Sequence, residues 1–339
     1  MADRPAGPPG RGSFLSADDR AIDADRDPTP TGFDALNPVQ RRTLDVLRRT
    51  GEPMVFDADL IATLRSEMHE AVDQLASRLD DRTARDGLWI SKHKIASALD
   101  CEAHHLVPDD FAWTPANAKG TIAHRAIQLM LTWRGDPTPT DLVDEAMARL
   151  AHEERGIGQW IDSLSPGDDA DVRGQTIERV TQFAEGFPPL SKKWHPMTES
   201  PVRWPNSGPI VLSGKVDLVF GRPVGSESRK VIIDLKTGRQ RAQHRQDLGF
   251  YALLETLARE VPPRKVATFY LDSSEAHAED VSERLLRSAV RRTLDGINAI
   301  IELETEGRPP VKRPGSSCRW CPLAPTCDEG QAFLHAGDG

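Results

Sequence analysis

The sequence predicts an α/β fold with a helical insertion, and three observations about its 339 residues support this class. Apolar residues recur at helical spacing through the first half of the chain, up to about residue 186. From about residue 202, short apolar runs separated by Pro, Gly, Asn and Ser indicate strands. One helical segment separates two of these runs, as in the crossover connections of α/β proteins.

The chain is expected to begin with a disordered arm over residues 1–36, which are rich in Pro and Gly and hold few apolar residues. Ordered structure should start at Asn37, because Asn is a good N-cap and Pro38 suits the first helical position. A second helix is expected after Asp57, where apolar residues follow at helical spacing. Residues 37–86 are therefore predicted to form N-terminal helices.

Further helices are predicted before the first of these strands. One covers residues 91–106 and carries Cys101, and another opens at Gly120. Two more flank the turn at Pro166, within residues 140–186. These helices form the predicted insertion.

The second half of the chain is predicted to contain strands and two helices. The predicted strands are residues 202–204, 210–220, 230–235 and 265–271. The predicted helices are residues 246–259 and 279–303. Residues 308–327 follow as a segment rich in Pro and Cys, without periodicity.

Composition narrows the class of protein. The net charge of −9 excludes a globally basic nucleic-acid-binding coat, although a local basic groove is compatible with it. No run approaches about eighteen consecutive apolar residues, so we expect no transmembrane helix and no membrane partner. No apolar segment follows Arg4, as a secretory signal would require, and four cysteines are too few for a disulfide scaffold. We therefore expect a cytoplasmic protein.

The most informative segment is the apolar strand that contains Asp234. A continuous apolar run of this kind is typical of a strand buried on both faces. Because side chains alternate along a strand, Asp234 and Lys236 should share one face and Leu235 should point to the other. Asp217 lies in the preceding predicted strand, so two carboxylates could share Mg²⁺ or Mn²⁺ beside a lysine that orients water. The residues alone also allow an ordinary buried Asp–Lys ion pair that fixes the strand register.

Basic residues continue downstream of this strand. The run leads away from the predicted site, where a phosphate backbone would have to pass, which favours DNA contact over a solvated surface. It comprises Lys236, Arg239, Arg241, His244 and Arg245. By contrast, four arginines along one side of the last predicted helix are expected to be solvated, with DNA contact as the alternative: Arg284, Arg287, Arg291 and Arg292.

Three motifs, taken in order, resemble the RecB-type branch of the PD-(D/E)XK nuclease superfamily, and the resemblance runs from about residue 91 to 327. They are Gly-Thr-Ile-Ala-His124, Gly-Lys-Val-Asp217 and Asp234-Leu-Lys236. The resemblance implies a restriction-endonuclease-like core, in which helices flank a central mixed sheet. It also implies that His124, Asp217, Asp234 and the carbonyl of Leu235 bind the metal, and that Lys236 is catalytic.

The sequence departs from the family pattern in detail. The family has Gln-x-x-x-Tyr on the following helix, and alignment on Tyr251 puts Asp247 at the Gln position. Relatives often carry Glu one turn after the motif histidine, where this chain has Gln128. Glu199 is expected to support the site rather than to ligate the metal. The residues predicted to contact DNA are Tyr251, Arg239, Arg241 and Arg245.

The cysteines form a second constellation. Cys318, Cys321 and Cys327 lie close together in an irregular loop, and Cys101 lies far earlier in the chain. Four thiolates are what one cubane iron–sulfur cluster needs, whereas structural zinc usually brings two Cys-x-x-Cys knuckles and only one is present. In RecB-like and CRISPR-associated exonucleases of the superfamily, one early and three late cysteines bind a [4Fe–4S] cluster. The resemblance therefore implies this cofactor in a C-terminal loop, with zinc as the alternative.

The resemblance also implies an organisation and a function. Residues 87–330 would form a RecB-like nuclease domain, and residues 331–339 a tail. The chain would be a metal-dependent DNA nuclease, an exonuclease acting on phosphodiester bonds of single-stranded or duplex ends, in DNA repair, recombination or processing. No nucleotide-driven motor motif is present, so any helicase would be a separate partner. The alternative is a non-catalytic iron–sulfur DNA-binding module of the same fold.

Overall fold

A central six-stranded sheet with helices on both faces forms the body of the protein. The computed structural model describes residues 36–108, 111–153 and 155–336. The sheet contains parallel and antiparallel pairs, so the predicted α/β class, a mixed sheet flanked by helices, is confirmed. The predicted arm over residues 1–36 lies outside the described residues except for Leu36, and so does the end of the predicted tail, residues 337–339.

The sheet follows the order β1-β3-β4-β5-β6, and β2 pairs with β3. Its strands are β1 Leu88–Ile90, β2 Met197–Trp204, β3 Ile210–Phe220, β4 Val231–Lys236, β5 Lys265–Tyr270 and β6 Glu275–Asp280. The pairs β1–β3 and β4–β5 are parallel, whereas β2–β3, β3–β4 and β5–β6 are antiparallel.

Twelve α-helices occur within the described residues. In chain order they are α1 Pro38–Leu47, α2 Ala58–Ala76, α3 Asp81–Asp86, α4 Lys92–Asp100, α5 Glu102–His105, α6 Pro115–Met130, α7 Pro139–Glu153, α8 Arg155–Asp162, α9 Pro166–Gly186, α10 Ala242–Arg259, α11 Glu283–Glu304 and α12 Asp328–Ala336.

Two hydrophobic cores lie against opposite faces of the sheet. The first joins the sheet to α2, α4, α10 and α11, and the second joins it to α6, α7 and α9. Strand β4 contributes to both, because Ile232 packs in the first core while Ile233 and Leu235 pack in the second. Burial on both faces is what the continuous apolar run of this strand predicts.

The pairing of β3 with β4 is short. It extends from Phe220 and Val231 to Leu218 and Ile233, and then stops. The next residues in the series are Asp217 on β3 and Asp234 on β4. The two strands therefore separate where their acidic residues lie.

The predicted helix starts are confirmed at two caps and wrong at a third position. Asn37 caps α1 by accepting hydrogen bonds from the amides of the first turn, and Asp57 caps α2 in the same way. Helix α6, however, begins at Pro115 and not at Gly120. The side chains of Thr114 and Asn117 each accept a hydrogen bond from the other's amide, which fixes this earlier start.

Two helical segments are more divided than the sequence predicts. The helix predicted over residues 91–106 breaks at Cys101, whose backbone is extended, and α4 and α5 lie on either side. Residues 140–186 contain α7, α8 and α9 rather than two helices. Apolar periodicity does not show a change of helix axis, so these breaks have no clear sequence signal.

The structure also corrects the predictions for the segment that forms β6 and for the start of β2. The helix predicted from residue 279 begins at Glu283, after the N-cap Ser282, because residues 275–280 form β6. This strand alternates alanine with polar residues and lacks the branched apolar residues that mark strands. β2 begins at Met197 rather than at residue 202, and the three-residue β1 was not predicted.

The cysteine loop is tied to α5 by Glu102. Its carboxylate accepts hydrogen bonds from the guanidinium groups of Arg308 and Arg313 at 2.9 and 3.1 Å, and from the amide of Val311 at 2.8 Å. The loop itself forms two short 3₁₀ turns, Ser316–Trp320 and Ala324–Thr326, and then α12. Helix α12 includes residues 331–336, which the sequence assigned to the tail.

The division of the chain into residues 37–86, 87–330 and 331–339 stays a prediction. Among the helices that the structure describes, none combines the length and the hydrophobicity that crossing a membrane would need.

Candidate active site

The candidate active site lies where β3 and β4 separate. The amide of Leu235 donates a hydrogen bond to Oδ2 of Asp217 at 2.7 Å, at a point where β4 no longer pairs with the β3 backbone. Helix α6 brings His124 from the side of the second core, and α4 and α10 bring Lys92 and Tyr251 from the side of the first. Helices α4, α6 and α10 and the neighbouring strand β2 therefore converge at the point where β3 and β4 separate.

Three side chains form a cluster of the kind that holds a metal ion. Nδ1 of His124 lies 3.5 Å from Oδ1 of Asp217 and 3.8 Å from Oε1 of Glu199. One ligand atom from each of the three lies within 4.8 Å of the others, and all three side chains are partly buried. Carboxylate oxygens with one imidazole nitrogen suit Mn²⁺ and Mg²⁺ better than a soft metal.

Glu199 reaches this cluster from an unusual backbone conformation. Its φ of 51° is in the left-handed region, and the register of β2 on either side places it opposite Asp217 on β3. For a residue other than glycine this conformation costs about 1–2 kcal/mol, and such residues often occur at functional sites. Lys215 forms a salt bridge with the Glu199 carboxylate. The left-handed backbone of Glu199 and its salt bridge with Lys215 thus place the Glu199 carboxylate beside Asp217.

Asp234 lies fully buried between two lysines. Nζ of Lys92 lies 2.7 Å from Oδ1 of Asp234, and Nζ of Lys236 lies 2.7 Å from Oδ2. The first contact is a well-formed hydrogen bond, whereas the second is an ion pair without hydrogen-bond geometry. Oδ2 of Asp234 is therefore a buried oxygen without an aligned donor among the described residues. Asp234 and Lys236 do share one face of β4, as alternation along a strand requires.

Lys92 is the residue that sequence reasoning missed. It is the first residue of α4, it is only 8% exposed, and its ammonium lies 4.6 Å from the centre of the Tyr251 ring. Its Nζ also lies 3.9 Å from Oδ2 of Asp247. Nothing in the local sequence distinguishes it from a surface lysine, because its burial depends on the packing of α4 and α10 against β4.

The buried charges shift one another's pKa values. Burial alone would lower the pKa of His124, but the carboxylates of Asp217, Glu199 and Asp234 together outweigh it, so the pKa is raised. Burial raises the pKa of Asp217, and the nearby Asp234 adds to this effect. Burial would also raise the pKa of Asp234, but Lys92 and Lys236 hold it below its usual value. Asp234 is therefore ionised at neutral pH, and a cation in the cluster would compete with a proton on His124.

The residues present fit a divalent metal ion. The three clustered side chains supply two carboxylates and an imidazole, and Oδ2 of Asp234 is a further buried oxygen with unused acceptor capacity. The family resemblance implies His124, Asp217, Asp234 and the carbonyl of Leu235 as ligands, with Glu199 as a supporting residue. In the structure Glu199, and not Asp234, completes the close group of three. The ligand set stays a prediction.

The residues of the motif on α10 are held firmly. The hydroxyl of Tyr251 donates a hydrogen bond to the carbonyl of Lys215 at 2.7 Å, and burial raises the pKa of Tyr251. Asp247, at the family's Gln position, is 5% exposed, and burial raises its pKa. Gln128 does not join the cluster and instead accepts a hydrogen bond from Arg125.

The three arginines predicted to contact DNA differ in their surroundings. Arg239 and Arg241 are exposed on the segment between β4 and α10. Arg245 donates two hydrogen bonds of 2.8 Å to the carboxylate of Glu279 on β6. Two of the three guanidinium groups are thus available to a phosphate without breaking an ion pair with Glu279.

The four cysteines come together at a distance from this site. A small cavity is lined by Cys101, Cys318, Cys321 and Cys327, and none of them forms a disulfide. The amides of Gly315 and Gly330 donate to the sulfurs of Cys318 and Cys327, both at 3.4 Å. A Cβ atom at position 330 would lie 3.4 Å from the sulfur of Cys327 and 3.6 Å from the sulfur of Cys318. Converging thiols with amide donors fit a group bound by thiolates.

Comparison with known proteins gives the family. No curated protein matches the sequence significantly. Among solved structures, a protein from Eubacterium rectale described as a "Putative exonuclease" is 10% identical with a TM-score of 0.41, over 72% of this chain and 87% of that chain. The protein SSO0001 is 16% identical with a TM-score of 0.28, over 62% of this chain and 95% of that chain.

A family model also matches most of the chain. The family described as the PD-(D/E)XK nuclease superfamily matches residues 90–328. This range includes the six strands except for Leu88 and Trp89, and it also includes His124, Asp217 and the Asp234–Lys236 pair. The chain belongs to the PD-(D/E)XK nuclease superfamily.

Proposed function

We propose that this protein is a metal-dependent deoxyribonuclease, an exonuclease that hydrolyses phosphodiester bonds at DNA ends. The cluster of His124, Glu199 and Asp217, next to the Asp234–Lys236 pair, is the observation that carries the proposal. The family shown by the sequence match supports nuclease chemistry. Cleavage of DNA rather than RNA, and from an end, comes from the resemblance to the RecB-type branch.

His124, Asp217, Asp234 and the carbonyl of Leu235 are the proposed metal ligands, and Glu199 supports them. Mg²⁺ or Mn²⁺ bound there would polarise a phosphoryl oxygen and lower the pKa of a bound water. Lys236 contributes a fixed positive charge next to the same opening between β3 and β4. It would orient the attacking water and offset the negative charge that grows on phosphorus oxygens.

Lys92 is proposed to position Asp234. Its buried ammonium donates a hydrogen bond to Oδ1, which leaves Oδ2 as the oxygen directed to the site. Two cations against one carboxylate keep Asp234 ionised even though it is buried. Because it is ionised, the Asp234 carboxylate can bind a cation or accept a hydrogen bond.

The four cysteines are proposed to hold a [4Fe–4S] cluster with a structural role. Their convergence in one cavity and the amide donors to two of the sulfurs support the proposal. Zinc would use the same thiolates and remains the alternative. A cytoplasmic location is proposed with this cofactor, since a reducing compartment keeps cysteines available for such ligation.

The substrate is proposed to be the single-stranded or duplex end of a DNA chain, in repair, recombination or processing. A helicase on a separate chain would supply unwound DNA. The alternative function is an iron–sulfur DNA-binding module without catalysis. The Asp234–Lys236 pair alone suits either function, whereas the metal-type cluster beside it favours an enzyme.

Incubation with end-labelled single-stranded and duplex DNA tests the proposal. We expect loss of label in Mg²⁺ or Mn²⁺ and none in EDTA. An Asp217→Asn variant should be inactive in every condition, because it loses a ligand charge, and Asp171→Asn on α9 is the matched control. DNA binding without any cleavage in either metal would support the non-catalytic module.

A further inference from the structure

A pocket of about 500 Å³ lies between α10 and α11, over β5 and β6. Its volume is within the range of about 300–1,000 Å³ that holds small molecules in proteins. None of the proposed metal ligands lines it. Metal binding therefore does not account for the residues that line this pocket.

The pocket is strongly basic in a chain whose net charge is −9. Four arginines line it against a single carboxylate, that of Glu279: Arg241, Arg245, Arg284 and Arg292. Glu279 already binds Arg245 through two hydrogen bonds. The pocket thus has an excess of positive charge that no side chain lining it neutralises.

Arg292 is the most informative of these arginines. It is partly buried, and burial lowers the pKa of its guanidinium. Neither Arg292 nor Arg284 forms a hydrogen bond or salt bridge with any residue that the structure describes. Together with Ser288 they lie at four-residue spacing on α11, so one face of the helix presents two guanidinium groups that no carboxylate binds directly, although Asp247 is near enough to Arg292 to attract it. The sequence favours solvated arginines here over DNA contact. The partial burial of Arg292 and the position of both arginines in the pocket wall favour the alternative for this pair.

The pocket continues towards the candidate active site. A smaller cavity next to it is lined by Lys92 and Asp247, and it shares Gln246, Ala289 and Arg292 with the large pocket. Lys92 is the buried lysine that binds Asp234. Arg292 therefore lies between the basic pocket and the residues that hold the proposed catalytic carboxylate.

The floor of the pocket is less polar than its rim. Leu248, Val266, Leu285 and Ala289 line it and are buried. An unpaired guanidinium beside apolar surface suits a molecule with a phosphate at one end and a flat, weakly polar body at the other. A nucleotide has this chemistry.

We propose that the α10–α11 pocket binds one phosphate-bearing nucleotide of the DNA strand, with Arg292 and Arg284 as the phosphate-binding residues. The inference rests on the proposed function, because it takes the strand as the source of the nucleotide. The pocket would hold a nucleotide close to the phosphodiester that faces Lys236, and so position the strand for cleavage.

Deoxyadenosine monophosphate in EDTA is the probe, and isothermal titration calorimetry of the full chain is the measurement. We expect saturable binding, and at least about tenfold weaker binding of deoxyadenosine, which lacks the phosphate. Arg292→Gln should weaken binding of the monophosphate by about tenfold or more. Arg291→Gln is the matched control, because Arg291 is next to Arg292 in the chain but is exposed and does not line the pocket.

A competing single-stranded oligonucleotide, also in EDTA, tests the source of the nucleotide. It should displace the monophosphate, and Arg292→Gln should weaken oligonucleotide binding more than Arg291→Gln does. The proposal is overturned if the wild type binds no monophosphate, or if Arg292→Gln and Arg291→Gln lose the same affinity for it. It is also overturned if the oligonucleotide does not displace the monophosphate. Unchanged thermal unfolding of Arg292→Gln excludes a folding defect.

These measurements need no cleavage, so they separate the pocket from the nuclease. A chain that binds in this pattern but never cleaves DNA retains the nucleotide pocket and loses the proposed function. A chain that cleaves DNA normally in the Arg292→Gln variant, with wild-type KM, retains the proposed function and loses the pocket.

Discussion

Asp234 is the residue whose environment most constrains the chemistry of the site. Its side chain is fully buried, yet it contacts two ammonium groups, those of Lys92 and Lys236. A buried carboxylate without such partners would take up a proton instead of staying charged. The two lysines hold its pKa low, so its charge is a permanent feature of the opening between β3 and β4.

Lys92→Met should therefore destabilise the protein by about 3–5 kcal/mol, because it leaves part of a buried charge without its partner. Urea unfolding measures this. Lys94→Met on the same helix is the control, since its partner Glu304 is more exposed and the expected loss is at most about 1 kcal/mol. Equal losses in the two variants would show that the Lys92–Asp234 pair is not the buried interaction described here.

Glu199 gives a second test at this scale, because its backbone is left-handed. Glu199→Gly should be more stable than Glu199→Ala by about 1 kcal/mol, since glycine adopts this conformation without the steric cost. Both variants should bind Mn²⁺ more weakly than the wild type, and to the same extent. Urea unfolding and calorimetric titration provide the two measurements, and greater stability of the alanine variant would contradict the strained backbone.

At the scale of elements, end signals and apolar runs predict the fold well. Asn37 and Asp57 cap helices as expected, and the three longest predicted strand segments correspond to β3, β4 and β5. The predictions fail where strongly apolar and polar residues do not alternate clearly in the sequence. β6 alternates alanine with polar residues, and Thr114 caps α6 eight residues before Ile122, where its clearest apolar stripe begins. β6 forms because it pairs with the preceding strand β5, and α6 starts early because Thr114 and Asn117 cap its first turn.

The candidate site shows the same limit. His124, Asp217, Asp234 and Lys236 belong to recognisable motifs, and the structure brings them to one opening in the sheet. Lys92 has no motif, and it reaches Asp234 across 142 positions of sequence. The role of a buried lysine depends on tertiary packing, which local sequence patterns do not contain.

Glu102 links two elements, α5 and the segment before the cysteine loop, and its pKa is lowered to about 2, chiefly by the hydrogen bond from Arg308. A lowered carboxyl pKa adds stability above the unfolded-state pKa of about 4.3, and this is lost as pH falls towards the folded-state value. Glu102→Gln should therefore cost about 1–3 kcal/mol at pH 7. The difference from wild type should shrink between about pH 4 and pH 2.

Unfolding by urea at several pH values measures this difference. Glu283→Gln is the control, because Glu283 pairs with Arg287 in an exposed salt bridge on α11 and should matter by less than about 1 kcal/mol. A loss in Glu102→Gln that does not change with pH would mean that the charge of Glu102 is not what stabilises the loop.

At the scale of the whole molecule, the cysteine loop connects the two ends of the matched region. Cys101 follows α4, which packs in the first core, while the other three cysteines follow α11, which packs in the same core. A group bound by all four would join these helices at their ends. Loss of one thiolate should therefore affect the stability of the whole fold and not only of the loop.

Cys321→Ala should lose iron and sulfide and unfold at a lower temperature than the wild type. Metal analysis, sulfide assay and thermal unfolding are the measurements, and Arg319→Ala in the same loop is the control that should retain the cluster. Zinc in place of iron in the wild type would support the alternative metal. A Cys321→Ala variant with full iron and unchanged unfolding would contradict the proposed ligands.

Lys236→Ala tests the proposed nuclease most directly, through cleavage and DNA binding measured side by side. Cleavage should fall by about a hundredfold or more, because the charge that orients water is removed, while binding to DNA should persist through phosphate contacts elsewhere. Lys193→Ala, an exposed lysine away from the sheet opening, should leave both unchanged. Cleavage at the wild-type rate in Lys236→Ala would contradict the mechanism, and loss of binding together with cleavage would indicate a structural lysine in a DNA-binding module.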